Sequence, residues 1–136
     1  MNLATLIAKR AEEGRPIRVG MIGAGKFGTM FLAQAERQRG IHIIGICDLN
    51  PEATRSNLAL ANWNLERYAA KSLDAAAKNG TTHVGDNWEA LVNHPAVEII
   101  IECTGNPMAA VTHILKTFDQ GKHVINATVE ADAFCG

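Results

Sequence analysis

The sequence is poor in most features that would place it in a specialised class. No stretch approaches the ~18 consecutive apolar residues that a membrane-spanning helix needs, so no such helix is expected. Neither sign of charge prevails: thirteen Lys and Arg stand against fourteen Asp and Glu, a net charge of -1. Nothing therefore points to a nucleic-acid partner or a membrane surface. Cysteine is sparse. Cys47, Cys103 and Cys135 have no C-x-x-C spacing and cannot all pair. Two of them end apolar runs, where a free thiol behaves as a small hydrophobe. This usage fits a reducing, cytoplasmic compartment better than a secreted disulfide scaffold. The opening residues, MNLATLIAKR, lack the basic start and long apolar stretch of a secretory signal. Internal repeats and low-complexity linkers are absent. His42, His83, His94, His113 and His123 form no metal-ligand pattern; each is expected to be structural or exposed, and no metal site is expected.

What remains is an ordinary core-forming composition, 47% apolar and 20% charged over 136 residues, which suits one domain. Residues 2–13 place Leu3, Leu6, Ile7 and Arg10 at helical spacing, and a short amphipathic helix outside the main fold is expected over 1–15. From 16 to 136 the pattern alternates. Strands are expected at Ile17–Ile22, Ile41–Cys47, around Thr81–Gly85, at Val97–Cys103 and at Lys122–Ala127. Between them the spacing predicts helices over Lys26–Arg39, over Glu52–Lys78 with a break, from Asp86 or Asn87 to Val92, and from Asn106-Pro107 to Gly121. In the first of these, Phe27, Met30, Phe31 and Ala35 share one side. Strict alternation with continuous apolar strands implies a parallel sheet covered on both faces. With right-handed crossovers the expected fold class is α/β, a doubly wound Rossmann sheet of strand order 3-2-1-4-5.

The chemistry concentrates at one turn. Gly23-Ala24-Gly25-Lys26-Phe27-Gly28 has the form G-x-G-x-x-G, directly after a strand and at the start of a helix. Gly23 permits the tight turn, Gly25 lets a pyrophosphate approach the backbone, and Gly28 allows close packing of helix on sheet. The helix N-terminus offers free N–H groups and partial positive charge to phosphate, and Lys26 lies inside the turn. Asp48 ends the second strand at the spacing where a carboxylate accepts hydrogen bonds from adenosine ribose hydroxyls. It would repel a 2′-phosphate and so favours NAD over NADP, with Arg55 the one nearby cation to soften this. The competing reading of Asp48 is a turn cap near Asn50-Pro51. Methyl-donor enzymes share a glycine turn and an acidic strand end but usually lack the third glycine.

Ligands of open parallel sheets bind at the carboxyl ends of strands where the order reverses. Thr104, Gly105 and Asn106 follow the fourth strand and are candidates to line the cofactor's path, although Gly-Asn-Pro is also good turn material. Asn126, Glu130 and Asp132 would lie near the nicotinamide end, and Glu130 is carried as a candidate. Cys103 is expected to pack and not to act as a nucleophile. Trp63 and Trp88 fall in helical stretches and are expected to pack. No group makes an acid/base pair by spacing, so catalytic residues stay unassigned.

The segments IRVGMIGAGKFG, GICDLNPE, WEALVNHPAVEIIIECTGNP and GKHVINATVEADAFCG together resemble the N-terminal domains of homoserine dehydrogenase-like oxidoreductases. The resemblance is strongest to bacterial members with a C-terminal SAF domain, a group that includes deoxyxylulose phosphate reductoisomerase-like enzymes. A more distant resemblance is to the Gfo/Idh/MocA oxidoreductases. It implies NAD or NADP as cofactor and a small-molecule substrate held by a further catalytic domain, expected to lie outside this sequence, which would then be a fragment. Ala131 follows Glu130 where the Gfo/Idh/MocA pattern has its catalytic lysine, which disfavours sugar-alcohol chemistry of that kind. The reductoisomerase-like relatives imply NADPH, against the reading of Asp48, so NAD versus NADP stays open. So does a homo-oligomeric state. The alternative to an oxidoreductase domain is a non-catalytic NAD(P)-binding module completed by another chain.

Overall fold

The computed structural model describes residues 3–24, 26–35, 37–38 and 40–127. Helix α1 (Leu3–Glu12) precedes five strands joined by four helical connections: β1 (Ile17–Ile22), α2 (Lys26–Ala35), β2 (Ile41–Cys47), α3 (Pro51–Leu60), α4 (Leu73–Asn79), β3 (His83–Gly85), α5 (Trp88–Asn93), β4 (Ile99–Glu102), α6 (Pro107–Asp119) and β5 (His123–Asn126). The strands form one parallel sheet of order β3-β2-β1-β4-β5, as expected. The strand order reverses between β1 and β4, which opens the crevice at their carboxyl ends.

Both faces of the sheet are covered. Val19 and Met21 of β1 pack with Leu32, Leu58, Trp63 and Tyr68 on one side. Ile22 and Ile44 pack with Leu91, Val92, Ala76 and Ile100 on the other. Continuous apolar runs in β1, β2 and β4 follow from this, because neither side of a central strand meets water. Helix α1 stands outside the strand–helix alternation, yet Ile7 packs against the first cluster. Arg10 ties it down through Glu98 at 2.8 Å and the carbonyl of Arg15.

Helix starts obey side-chain capping. Asn50, Ser72, Asn87 and Asn106 accept from Ala53, Ala75, Ala90 and Ala109 N–H respectively, each relieving an orphan donor of the first turn. Pro51 and Pro107 then take first helical positions, where no N–H is needed. Gly80, at φ 72°, stops α4.

Three expectations need correction. The stretch 52–78 is two α-helices separated by a 3₁₀ turn at Leu65–Tyr68. Asn62 takes a left-handed conformation, φ 66°, and turns Trp63 into the core, where its Nε1–H donates to Leu32 O at 3.0 Å. Trp63 thus packs as expected, but in the break and not in a helix. Helix α2 ends at Ala35, not Arg39, and tight-turn bonds from Arg37 to Gln34 and Gln38 to Ala35 follow it. Its buried face carries Gly28, Leu32 and Ala35, whereas Met30 is exposed, one position off the expected stripe. Strand β4 is shorter than expected, although Val97 and Cys103 at its ends are buried.

Candidate functional site

The strand ends are fastened together beyond the regular ladder. Gly23 N–H donates to Cys47 O at 2.7 Å, Cys103 N–H to Ile22 O at 2.7 Å and Asp48 N–H to Gly85 O at 3.0 Å. These bonds set the floor of a cavity of about 470 Å³. Gly23 and Asp48-Leu49 line it from the β1 and β2 ends, Asp86 and Trp88 from the start of α5, and Thr104, Asn106 and His113 from the β4–α6 segment.

The glycine turn fits a dinucleotide on steric grounds. Gly23 has φ +87°, and a Cβ there would sit 2.7 Å from Cys103 C and Thr104 N, so only glycine lets β1 turn against β4. A Cβ on Gly28 would lie 2.8 Å from Met21 Cε and 3.3 Å from Gly23 O, so the third glycine sets how closely α2 approaches β1. Lys26 and Phe27 start α2, but their side chains lie outside the described structure, as does Gly25.

Asp48 makes the turn bond expected of it near Asn50-Pro51 and also reaches the glycine turn. Oδ2 accepts from Ala24 N–H at 2.9 Å, inside the glycine turn. Oδ1 accepts from Asn50 N–H at 3.0 Å, a local turn bond. A carboxylate has about four lone-pair positions, so these two bonds leave acceptor capacity toward the cavity it lines. Arg55 is engaged elsewhere, with Glu52 and with Val84 O at 3.1 Å.

Thr104, Gly105 and Asn106 form the turn after β4. Thr104 Oγ1 accepts from Asn106 N–H at 3.2 Å, Gly105 has φ 70°, and Asn106 caps α6. The turn reading of this segment therefore holds, and Thr104 and Asn106 also line the cavity. Glu130, Asp132 and Cys135 lie outside the described residues, and Asn126 ends edge strand β5. Cys47 and Cys103 are buried beside the cavity floor. Burial pushes both thiols up to about 12, which leaves them protonated and unreactive, as expected for packing cysteines.

One constellation was invisible by spacing. Glu102, fully buried at the end of β4, accepts from Thr104 N–H at 2.7 Å and meets His113 Nδ1 at 2.5 Å. Burial raises its carboxyl, but the hydrogen bonds from His113 and Thr104 outweigh this and hold it below the usual range. The group is therefore a carboxylate, and His113 Nδ1–H is the donor. The Trp88 ring rests against the His113 ring, centroids 4.5 Å apart. Eleven residues separate Glu102 from His113, and the bond exists because α6 folds back along β4. Among the described residues no cluster of His, Cys, Asp and Glu could hold a metal ion.

Residues 17–126 match the Gfo/Idh/MocA model, an oxidoreductase family with an NAD-binding Rossmann fold. The chain belongs to that family. It is also 29% identical over 115 residues to a homoserine dehydrogenase of Methylobacillus glycogenes, matching 83% of this chain and 25% of that enzyme. Solved structures share the fold. Myo-inositol dehydrogenase of Lactobacillus casei, in complex with NAD(H) and myo-inositol, has a TM-score of 0.56 at 18% identity, over 82% of this chain and 28% of that one. Biliverdin reductase of Synechocystis, in complex with biliverdin and NADP+, has a TM-score of 0.55 at 17% identity, over 82% and 29%. The chain thus spans 25% to 29% of the length of these relatives. It is an NAD(P)-binding domain of the oxidoreductase type. No helix among the described residues is long and apolar enough to cross a membrane.

Proposed function

We propose that this chain is the cofactor domain of a homoserine dehydrogenase-like oxidoreductase, and that it takes NAD in preference to NADP. The bond from Ala24 N–H to Asp48 Oδ2 carries the reading, because it puts a carboxylate against the glycine turn at the point where the strand order reverses. The pyrophosphate would lie over that turn and the N-terminus of α2, with the ribose hydroxyls donating to Asp48. When bound, the nicotinamide accepts or delivers a hydride, and the chain's own part is to bind and orient it.

Charge supports NAD. Asp48 and Asp86 both line the cavity, whereas Arg55 is held by Glu52 and the Val84 carbonyl. A 2′-phosphate would meet two carboxylates. Ala131, in place of the catalytic lysine of the Gfo/Idh/MocA pattern, favours the homoserine dehydrogenase-like reading over sugar-alcohol oxidation. The small-molecule substrate is then held by a second domain of the kind that makes up the rest of the relatives' length.

Calorimetric titration of this chain with NADH and NADPH tests the proposal. Binding of NADH at least about tenfold tighter than NADPH is expected, as ~1.4 kcal/mol of electrostatic discrimination corresponds to that ratio. Equal affinities would remove the NAD preference, and no binding of either cofactor at millimolar concentration by the folded chain would remove the cofactor reading.

A further inference from the structure

Another cavity, of about 330 Å³, lies at the amino ends of β1 and β2. Ile41 lines it and Cys47 lines the crevice; these are the two ends of β2, about 20 Å apart at a strand's rise per residue. Arg37 after α2, His42 on β2 and Arg67 in the 3₁₀ turn all line this cavity. Among the described residues that line it, none is acidic. Arg18 is the register partner of His42 on β1. Burial holds His42 below its ordinary value, and the charges of Arg18 and Arg67 add to this. The whole chain has a net charge of -1, so the concentration of positive charge is local. Arg10, Arg15 and Arg55 are each paired with a glutamate. Arg18 and Arg37 have no ion pair among the described residues.

Two of the basic groups are held in place. The guanidinium of Arg67 lies over the buried Trp63 ring, 4.5 Å from its centroid, and the Arg67 carbonyl accepts from Thr82 N–H at 2.7 Å. His42 Nε2–H donates to Thr81 O at 2.7 Å. Groups fixed beforehand lose little freedom when an anion arrives. We propose that this cavity binds a small phosphate-bearing molecule, at a site separate from the dinucleotide crevice. Its basic groups come from three separate segments. That arrangement suits the several oxygens of a tetrahedral phosphate better than the flat edge of a carboxylate. The volume is at the lower end of the range of small-molecule pockets, about 300–1,000 Å³, and leaves room for a compact organic group beyond the phosphate. With the length of β2 between them, a ligand here is an effector and not a reactant of the crevice. The proposal does not rest on the dinucleotide reading.

The test uses inorganic pyrophosphate at constant ionic strength. Saturable binding at millimolar concentration or below is expected in calorimetry. The NMR titration midpoint of His42 should move to higher pH as the site fills, since a nearby anion favours the protonated ring. Arg37 is exposed, so Arg37→Gln should keep the melting temperature of wild type while weakening binding about tenfold. Citrate, whose charge is carried by carboxylates, should bind at least about tenfold more weakly than pyrophosphate. The glycine turn is the other place where pyrophosphate could settle. Binding there would leave His42 unmoved and would be indifferent to Arg37→Gln, and either result overturns the proposal. Citrate binding as tightly as pyrophosphate would show that charge alone is read, and the phosphate assignment would fall. Absence of any binding by the folded chain at about 10 mM would remove the site altogether.

Discussion

Replacing Asp48 by asparagine separates two jobs that one carboxylate performs. Its oxygens accept from Ala24 N–H at 2.9 Å and from Asn50 N–H at 3.0 Å. An amide can serve one of these N–H groups, but must turn its own NH₂ toward the other. A hydrogen bond to a charged acceptor contributes about 1.5–3 kcal/mol when buried and less when partly exposed, so the lost bond should destabilise the domain by about 1–2 kcal/mol. Unfolding entropy of ~2.1 cal/mol/K per residue, over a chain of 136 residues, converts this to a fall of about 3–7 °C in Tm. Damage to the turn weakens NAD and NADP alike. The ribose contact does not: NAD loses a charged acceptor, while NADP is relieved of a like charge beside its 2′-phosphate. The ratio of the two affinities should therefore move toward NADP by about tenfold or more, whatever happens to each alone. Thermal denaturation and paired calorimetric titrations read both quantities. A lower Tm with both affinities reduced equally would mean that Asp48 only builds the turn, and the ribose assignment would be wrong.

Other consequences are open to simpler measurements. Gly23→Ala puts a Cβ 2.7 Å from backbone atoms at φ +87°, and neither side can yield; a loss of about 2–4 kcal/mol in urea denaturation is expected, and a neutral result would mean the turn is not as tight as described. Cys47 and Cys103, with thiols pushed up to about 12, should be alkylated roughly a thousandfold more slowly than ordinary thiols at about pH 8 in the native state and at normal rates in denaturant, as mass mapping of the modified peptides would record. His42 is held below its ordinary value by burial, assisted by Arg18 and Arg67 and opposed by its bond to Thr81 O. The unfolded chain then binds the proton first, so this residue's contribution is complete above about pH 7 and is lost as pH falls through the lowered value. His42→Gln should flatten the decline of stability between about pH 7 and pH 5, and an unchanged slope would refute the burial argument.

The sequence displayed the fold because its signals were local. Asn50-Pro51 and Asn106-Pro107 mark helix starts in adjacent residues, Asn79-Gly80 marks a stop, and β1, β2 and β4 are runs of apolar side chains that only a two-sided sheet can bury. The break at Asn62-Trp63 was less legible, because tertiary contact decides it: Trp63 leaves the helical path to reach Leu32 O. The tight glycine turn was legible for the same reason as the helix starts, since steric demand falls on Gly23 and Gly28 themselves. The pair Glu102–His113 was not. Its members sit on different elements, and a glutamate ending an apolar strand looks like a surface residue until the turn after it and the helix beyond are in place.

Two carboxylates, one readable and one hidden, turn out to play matching parts. Asp48 at the end of β2 holds Ala24 N–H in the turn after β1. Glu102 at the end of β4 holds Thr104 N–H in its own following turn. Both turns flank the crevice, and both contain a glycine at positive φ, Gly23 and Gly105, whose conformational freedom would otherwise cost most to restrain. Fixing them through charged acceptors at strand ends moves that ordering cost from the binding step to folding, where the sheet's core offsets it. A ligand arriving at this crevice would meet backbone already in place, with Asp48, which lines the cavity, keeping acceptor positions beyond its two backbone bonds.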